Sequence, residues 1–182
     1  FFNDVPERIG KVMATNDPPR HTLLRGLVEQ VLSPERVERL EPVIRAMARG
    51  LIGRFGDTGS VEFVGEFAAS LTAGLMGYLF GVPQADFPQL RGWLSAAVQT
   101  AESSGPAKPA PEFQLLFGYI ARLVAERRAN PGDDMVSGLI AAEYDGYRLG
   151  DIEIVTEIGT LIAAAIQSMN VQLGNIALAL AL

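Results

Sequence analysis

The last thirty or so residues constrain the fold most. From about Asp151 to Leu182 the chain has no proline, and apolar side chains recur at three- and four-residue steps. A helix of that length, rising about 1.5 Å per residue, has to cross a domain of this size from one side to the other. On a wheel of 100° per residue, Leu161, Ala164, Ala165, Ser168, Gln172 and Asn175 share one side. Ile162, Ile166, Met169, Leu173 and Ala177 share the other. The second set is a regular core face. The first is small and polar on a helix too apolar to leave it simply in water. Two readings follow: Ala164 and Ala165 admit a neighbouring helix, with Ser168 bonded back to a carbonyl one turn earlier, or they let a flat ligand press against the backbone. The wheel alone favours packing. The run is also long enough to span a membrane. Against that, Gln167, Ser168, Asn170, Gln172 and Asn175 sit mid-span and Asp151, Glu153 and Glu157 crowd its start. No membrane association is expected.

The rest of the chain reads as helix after helix. Asp17-Pro18-Pro19 predicts an N-cap and a first-turn proline for a helix running to about Leu32. Ser33-Pro34-Glu35 repeats the signal for one long amphipathic helix to Phe55. Ser60–Phe63 alternates and is expected to pair as a short strand. Helices follow at about Val64–Phe80, Asp86–Glu102 and Phe113–Ala129, with a loop through Ser103–Pro111. Asp133 is expected to cap a short helix to Glu143, and Tyr144-Asp145-Gly146-Tyr147 is a tight-turn signal. The class is mainly α, as a single domain over residues 1–182.

Composition removes several functions. The net charge of −6, with 13 Arg and 2 Lys scattered along the chain, excludes an ordinary nucleic-acid binder. There is no Cys and one His, so disulfides, thiolate sites, a Cys nucleophile and a multi-histidine metal site are all excluded within these residues. No signal-peptide pattern is visible, and a cytoplasmic location is expected. The start on Phe1-Phe2 and the uncapped apolar finish at Leu182 read as cuts in a longer chain.

His21 and Arg25 stand four residues apart in the first turns of a helix, on one face. Imidazole and guanidinium beside the free N–H groups of a helix start make a reasonable carboxylate or phosphate clamp. A solvated polar face explains the same spacing, and no Ser, Cys or acid nearby suggests a catalytic triad.

The stretch Asp17-Pro18-Pro19-Arg20-His21-Thr22-Leu23-Leu24-Arg25-Gly26-Leu27-Val28 closely resembles the helix C entry of bacterial cytochromes P450. Leu32-Ser33-Pro34-Glu35-Arg36-Val37 is similar to the start of helix D, and Leu79-Phe80-Gly81-Val82-Pro83 to the end of helix E. Asp133-Asp134-Met135-Val136-Ser137-Gly138-Leu139 is similar to the helix H entry, and the long last helix falls at helix I. The resemblance implies a partial P450 fold, helices C to I with a short β element, lacking the C-terminal haem-thiolate loop. It implies haem b (iron protoporphyrin IX) as cofactor, with His21 and Arg25 on its propionates and Ala164 and Ala165 over its face. No metal ligand is expected here, because the proximal Cys is not in this chain. The implied reaction inserts one oxygen atom of O2 into a small apolar organic substrate, with electrons from a ferredoxin-type redox partner. Substrate contacts are expected in residues 1–16, around Phe87–Phe113, and near Ala164 and Ser168.

Helix I departs from the family's pattern of Ala-Gly, any residue, Asp or Glu, then Thr. Aligned there, this chain reads Ala164-Ala165-Ile166-Gln167-Ser168. In the family the alcohol hydrogen-bonds the oxygen being reduced and the acid helps deliver protons. Ser168 keeps a hydroxyl, whereas the amide of Gln167 cannot titrate. The catalytic candidates are therefore Ser168 and Gln167, and three explanations stay open in this order: protons arrive by water or a substrate hydroxyl, the oxidation is atypical, or coupling is poor. A different class of function, a non-catalytic helical module binding an apolar ligand or partner protein, accounts for the helical body as well.

Overall fold

A computed structural model describes residues 12–56, 59–104 and 111–182. A 3₁₀ turn at Met13–Thr15 leads into α1 (Arg20–Val31), α2 (Pro34–Glu38) and α3 (Leu40–Phe55). A π-helical stretch at Phe63–Ala68 runs directly into α4 (Ala69–Leu79). A 3₁₀ turn at Gln84–Asp86 precedes α5 (Phe87–Ser104), and α6 (Pro111–Ala129), α7 (Met135–Ala141) and α8 (Asp151–Ala181) complete the order.

The helix α4 is apolar all round, and Leu71 through Gly77 are all buried, as such a composition requires. It packs between α5 and α8, while α6 covers α8 from another side and α7 joins α6 to α1. One core cluster runs through Leu24 and Leu27 of α1, Phe80, Ile120 of α6 and Leu139 of α7 to Ile154, Ile158 and Ile162 of α8. Those three isoleucines are at most 1% exposed, and each such burial stabilises the fold by roughly 1.5–3 kcal/mol. The beginning of α8 is thus the centre of a protein core.

Where the structure departs from the sequence reading, local chemistry explains it. The first helix begins at Arg20 with Pro19 as its N-cap and no side-chain cap bond, so Asp17 does not cap it. A proline disfavours helical geometry in the residue before it, and Pro19 therefore keeps Pro18 out of the helix. Asp17 contributes its backbone carbonyl to the His21 N–H instead, at 3.0 Å. Ser33 does cap as expected, accepting from the Arg36 amide. The long helix expected after it is broken at Arg39 into α2 and α3. Pro42 has no N–H to return to Glu38, so the chain restarts a helix with that proline in the first turn.

No strand forms at Ser60–Phe63. The Glu62 carboxylate accepts the Val64 and Gly65 N–H groups at 3.1 and 2.6 Å, which starts a helical stretch at Phe63. The cap of α7 is Asp134, accepting from the Ser137 N–H at 2.8 Å, one residue beyond the expected Asp133. Asp133 points outward and pairs with Arg36 at 2.5 Å. The turn at 144–147 is as expected: Asp145 and Gly146 both have positive φ, 51° and 73°, and Tyr144 and Tyr147 form an antiparallel bridge. That bridge is the β element among the described residues. Most of the Ser103–Pro111 loop lies outside them.

Candidate functional site

The α1 side chains Leu24, Leu27, Val28 and Val31 enter the core, and His21 and Arg25 stand off that stripe. His21 is half-buried, and its ring has no hydrogen-bond partner among the described residues; Arg25 is exposed and held by Glu29 at 2.8 Å. An exposed i,i+4 pair of this kind is worth under about 1 kcal/mol, so an anionic ligand can take Arg25 from Glu29 easily. The Tyr144 ring lies on α1 at Gly26, where an added Cβ would come within 2.6 Å of it. Gly26 is thus what lets the 144–147 turn seat against the helix. Beside it, a cleft of about 750 Å³ is lined by Pro18, Pro19, Thr22, Leu23, Tyr144 and Asp145. None of the expected site residues lines this cleft.

Ala164 and Ser168 are exposed on α8, and Gln172 and Asn175 follow them on the same bare side. Ala165 is half-buried and packs against the core. No helix covers Ala164 among the described residues. The Ser168 hydroxyl donates back to the carbonyls of Ala164 and Ala165 at 2.9 and 3.2 Å, the local bond expected of a serine inside a helix. The Gln167 side chain lies outside what the structure describes, as do residues 1–11.

The first turns of α1 and α8 are tied together by a polar cluster that spacing along the chain did not reveal. Arg20 forms an ion pair with Glu153 and lies over the Tyr147 ring, 4.5 Å from its centroid. The Tyr147 hydroxyl donates to both oxygens of Glu153 at 2.7 and 2.8 Å, and the Gly150 N–H donates at 2.9 Å. Burial acts to raise the Glu153 carboxyl, but the Gly150 amide, Tyr147 and Arg20 outweigh it and hold it below the usual carboxylate range. One turn further, Glu157 is 2% exposed and accepts the Met13 N–H at 2.6 Å. Burial pushes this carboxyl up to about 7, against the Met13 amide and Arg20, with Glu153 adding to the rise. The one sequence signal for it was an acid inside an apolar run.

The residues present fit a haem. Imidazole and guanidinium one turn apart on α1 can each donate to a carboxylate, and the bare face at Ala164 and Ser168 can lie against a flat apolar group. No group of three or more potential metal ligands occurs among the described residues.

No family model matches the chain. Curated relatives do. Cytochrome P450 107B1 of Saccharopolyspora erythraea is 31% identical over 94% of this chain and 42% of its own length. The erythromycin C-12 hydroxylase of the same organism is 35% identical over 88% of this chain and 41% of its own. Among solved structures, a point mutant of the mixed-function P450 MycG in complex with mycinamicin IV superposes with a TM-score of 0.80 at 29% identity, over 95% of this chain and 44% of its own. By sequence and by fold, this chain belongs to the cytochrome P450 family, whose cofactor is haem. It spans about 42% of the length of the first of these relatives, with a partial P450 fold. These relatives do not favour a non-catalytic helical module.

Proposed function

We propose that this chain is part of a haem-thiolate monooxygenase that inserts one atom of O2 into a small apolar organic substrate, drawing electrons from a ferredoxin-type partner in the cytoplasm. The observation that carries the reading is the match to P450 enzymes over about nine tenths of the chain. The haem supplies the oxidising chemistry when bound, and its thiolate comes from outside these 182 residues, which hold no Cys.

The chain's own residues position and manage protons. His21 and Arg25 bind the propionates, Arg25 exchanging Glu29 for a carboxylate of the cofactor. Ala164 and Ala165 keep the α8 backbone within reach of the macrocycle. Ser168 already has its proton satisfied by Ala164 and Ala165, and its lone pairs accept from a neighbouring donor without breaking that bond. Gln167 offers an amide where an acid would titrate, so protons reach the site through water or a substrate hydroxyl.

The full reading frame, expressed and loaded with haem, tests this. After reduction under carbon monoxide it is expected to show the Soret shift of a thiolate ligand. A folded, haem-loaded product without that shift sinks the reading. Gln167→Glu in the same protein is expected to leave the coupling of reductant to product unchanged; improved coupling would show that the lost acid limits turnover.

A further inference from the structure

We propose that Glu153 is a positioning residue for the propionate clamp: by holding Arg20, it sets where the first turn of α1 presents His21. The proposal rests on the reading of His21 and Arg25 as that clamp.

The two clamp residues are supported differently. Leu24 is a buried residue near the start of α1, and Leu27, Val28 and Val31 follow it into the core. Arg25 lies between Leu24 and Leu27, so the body of the helix carries it. His21 lies ahead of all four, in a first turn that starts at Pro19 without a side-chain cap. Helix ends fray from such a turn. A hydrogen bond to a carboxylate tolerates little fraying, because donor and acceptor must stay within about 2.7–3.2 Å.

Arg20 ties that turn from outside. Its guanidinium pairs with Glu153 and lies 4.5 Å from the centroid of the Tyr147 ring. Glu153 is itself fixed. The Tyr147 hydroxyl donates to its oxygens at 2.7 and 2.8 Å and the Gly150 N–H donates at 2.9 Å, on a helix whose Ile154 and Ile158 are fully buried. The turn carrying Tyr147 is braced on α1 a second time, where the Tyr144 ring lies against Gly26. Tyr144 and Tyr147 exchange backbone hydrogen bonds at 3.0 and 2.9 Å, so the two rings move as one piece. On a helical wheel Gly26 lies roughly 120° from the direction shared by His21 and Arg25, so the turn grips α1 away from the clamp. The Met13–Glu157 bond holds the chain further upstream, before Pro18-Pro19. Arg20, next to His21 in sequence, is where this frame reaches the first turn.

Haem transfer to apomyoglobin from the full haem-loaded protein tests the role. Glu153→Gln keeps the shape and an acceptor but removes the charge that holds Arg20. It is expected to lose haem about fivefold faster than wild type, the effect of one weakened charged hydrogen bond. In a His21→Ala background the same change is expected to add nothing, and in an Arg25→Ala background to add its full factor. The resonance Raman band of the propionate bend, which reports hydrogen bonds to those carboxylates, is expected to shift in Glu153→Gln as it does in His21→Ala. Arg20→Met removes the other half of the pair, is expected to behave in the same way, and decides the matter if Glu153→Gln does not fold. Wild-type haem loss in these variants, a full factor in the His21→Ala background, or faster loss with an unshifted band overturns the positioning role while the clamp stands. Equal haem loss from wild type and His21→Ala removes His21 from the clamp, and the proposal with it.

Discussion

Arg127 and Asp134 form the tie that closes the end of α6 onto α7: Nε donates to Oδ2 at 2.5 Å, with the two side chains only 15% and 6% exposed. The same guanidinium donates to the Gly81 carbonyl at 2.6 Å, and the other Asp134 oxygen caps α7. Three helix ends therefore depend on one ion pair. Removing one partner strands the other, and Arg127→Met is expected to destabilise the chain by about 2–4 kcal/mol in urea denaturation. A loss below about 0.5 kcal/mol would show that the tie is dispensable.

At Gly159 the helix α8 lies directly against Phe117 of α6. A Cβ there would lie 2.5 Å from a ring carbon of Phe117. Gly159→Ala is expected to cost about 1–3 kcal/mol by forcing that ring aside. Phe117→Leu in the same chain should recover part of the loss, measured as a double-mutant cycle.

Stability should also fall as pH rises through neutrality. The Glu157 carboxyl ionises at about 7 in the fold, against 4.5 ordinarily. The folded state thus holds the extra proton. Its contribution is complete below about pH 4.5, declines as pH rises, and is gone above about pH 7, a change of up to roughly 3 kcal/mol. Glu153, shifted the opposite way, acts only on the acid side of 4.5. Denaturant midpoints from pH 5 to 8 are expected to slope downward in the wild type and to flatten in Glu157→Gln.

At the proposed haem face, stability and function should separate. Arg25 sits in an exposed pair and Ser168 on bare helix, so Arg25→Ala and Ser168→Ala are each expected to change apo stability by less than about 0.5 kcal/mol. In the full haem-loaded protein Arg25→Ala is expected to lose haem faster on transfer to apomyoglobin, and Ser168→Ala to uncouple turnover while retaining haem. Equal haem loss rates for wild type and Arg25→Ala would remove that residue from the clamp.

The helices were legible because their signals are local. Ser33-Pro34, Asp145-Gly146 and the unbroken run after Asp151 each fix a start, a turn or a length within a few residues. The misreadings were local as well: Pro19 acting on Pro18, Pro42 acting on Glu38, and Glu62 folding back on its own amides. In each case one residue's backbone or side chain redirected a pattern that was otherwise sound. The candidate site divided differently. His21 and Arg25 share a face by spacing alone, whereas Arg20 and Glu153 lie 133 positions apart. Met13 and Glu157 lie 144 apart, joined through a backbone N–H that every residue except proline carries. No periodicity encodes such a meeting.

The two halves of α8 differ in kind. Ile154, Ile158 and Ile162 are fixed in the core, while Val171, Ile176, Leu178 and Leu180 are 46–83% exposed. An unbroken helix fixed in the core at its start, and braced further along by Val64 beside Gly174, behaves as a beam. Ile158 and Leu178 are roughly 30 Å apart along it, so a tilt of about 4° at the held end would move the far end by about 2 Å. Whatever seats the bare half would register small adjustments made near Glu153 and Glu157, amplified by length alone.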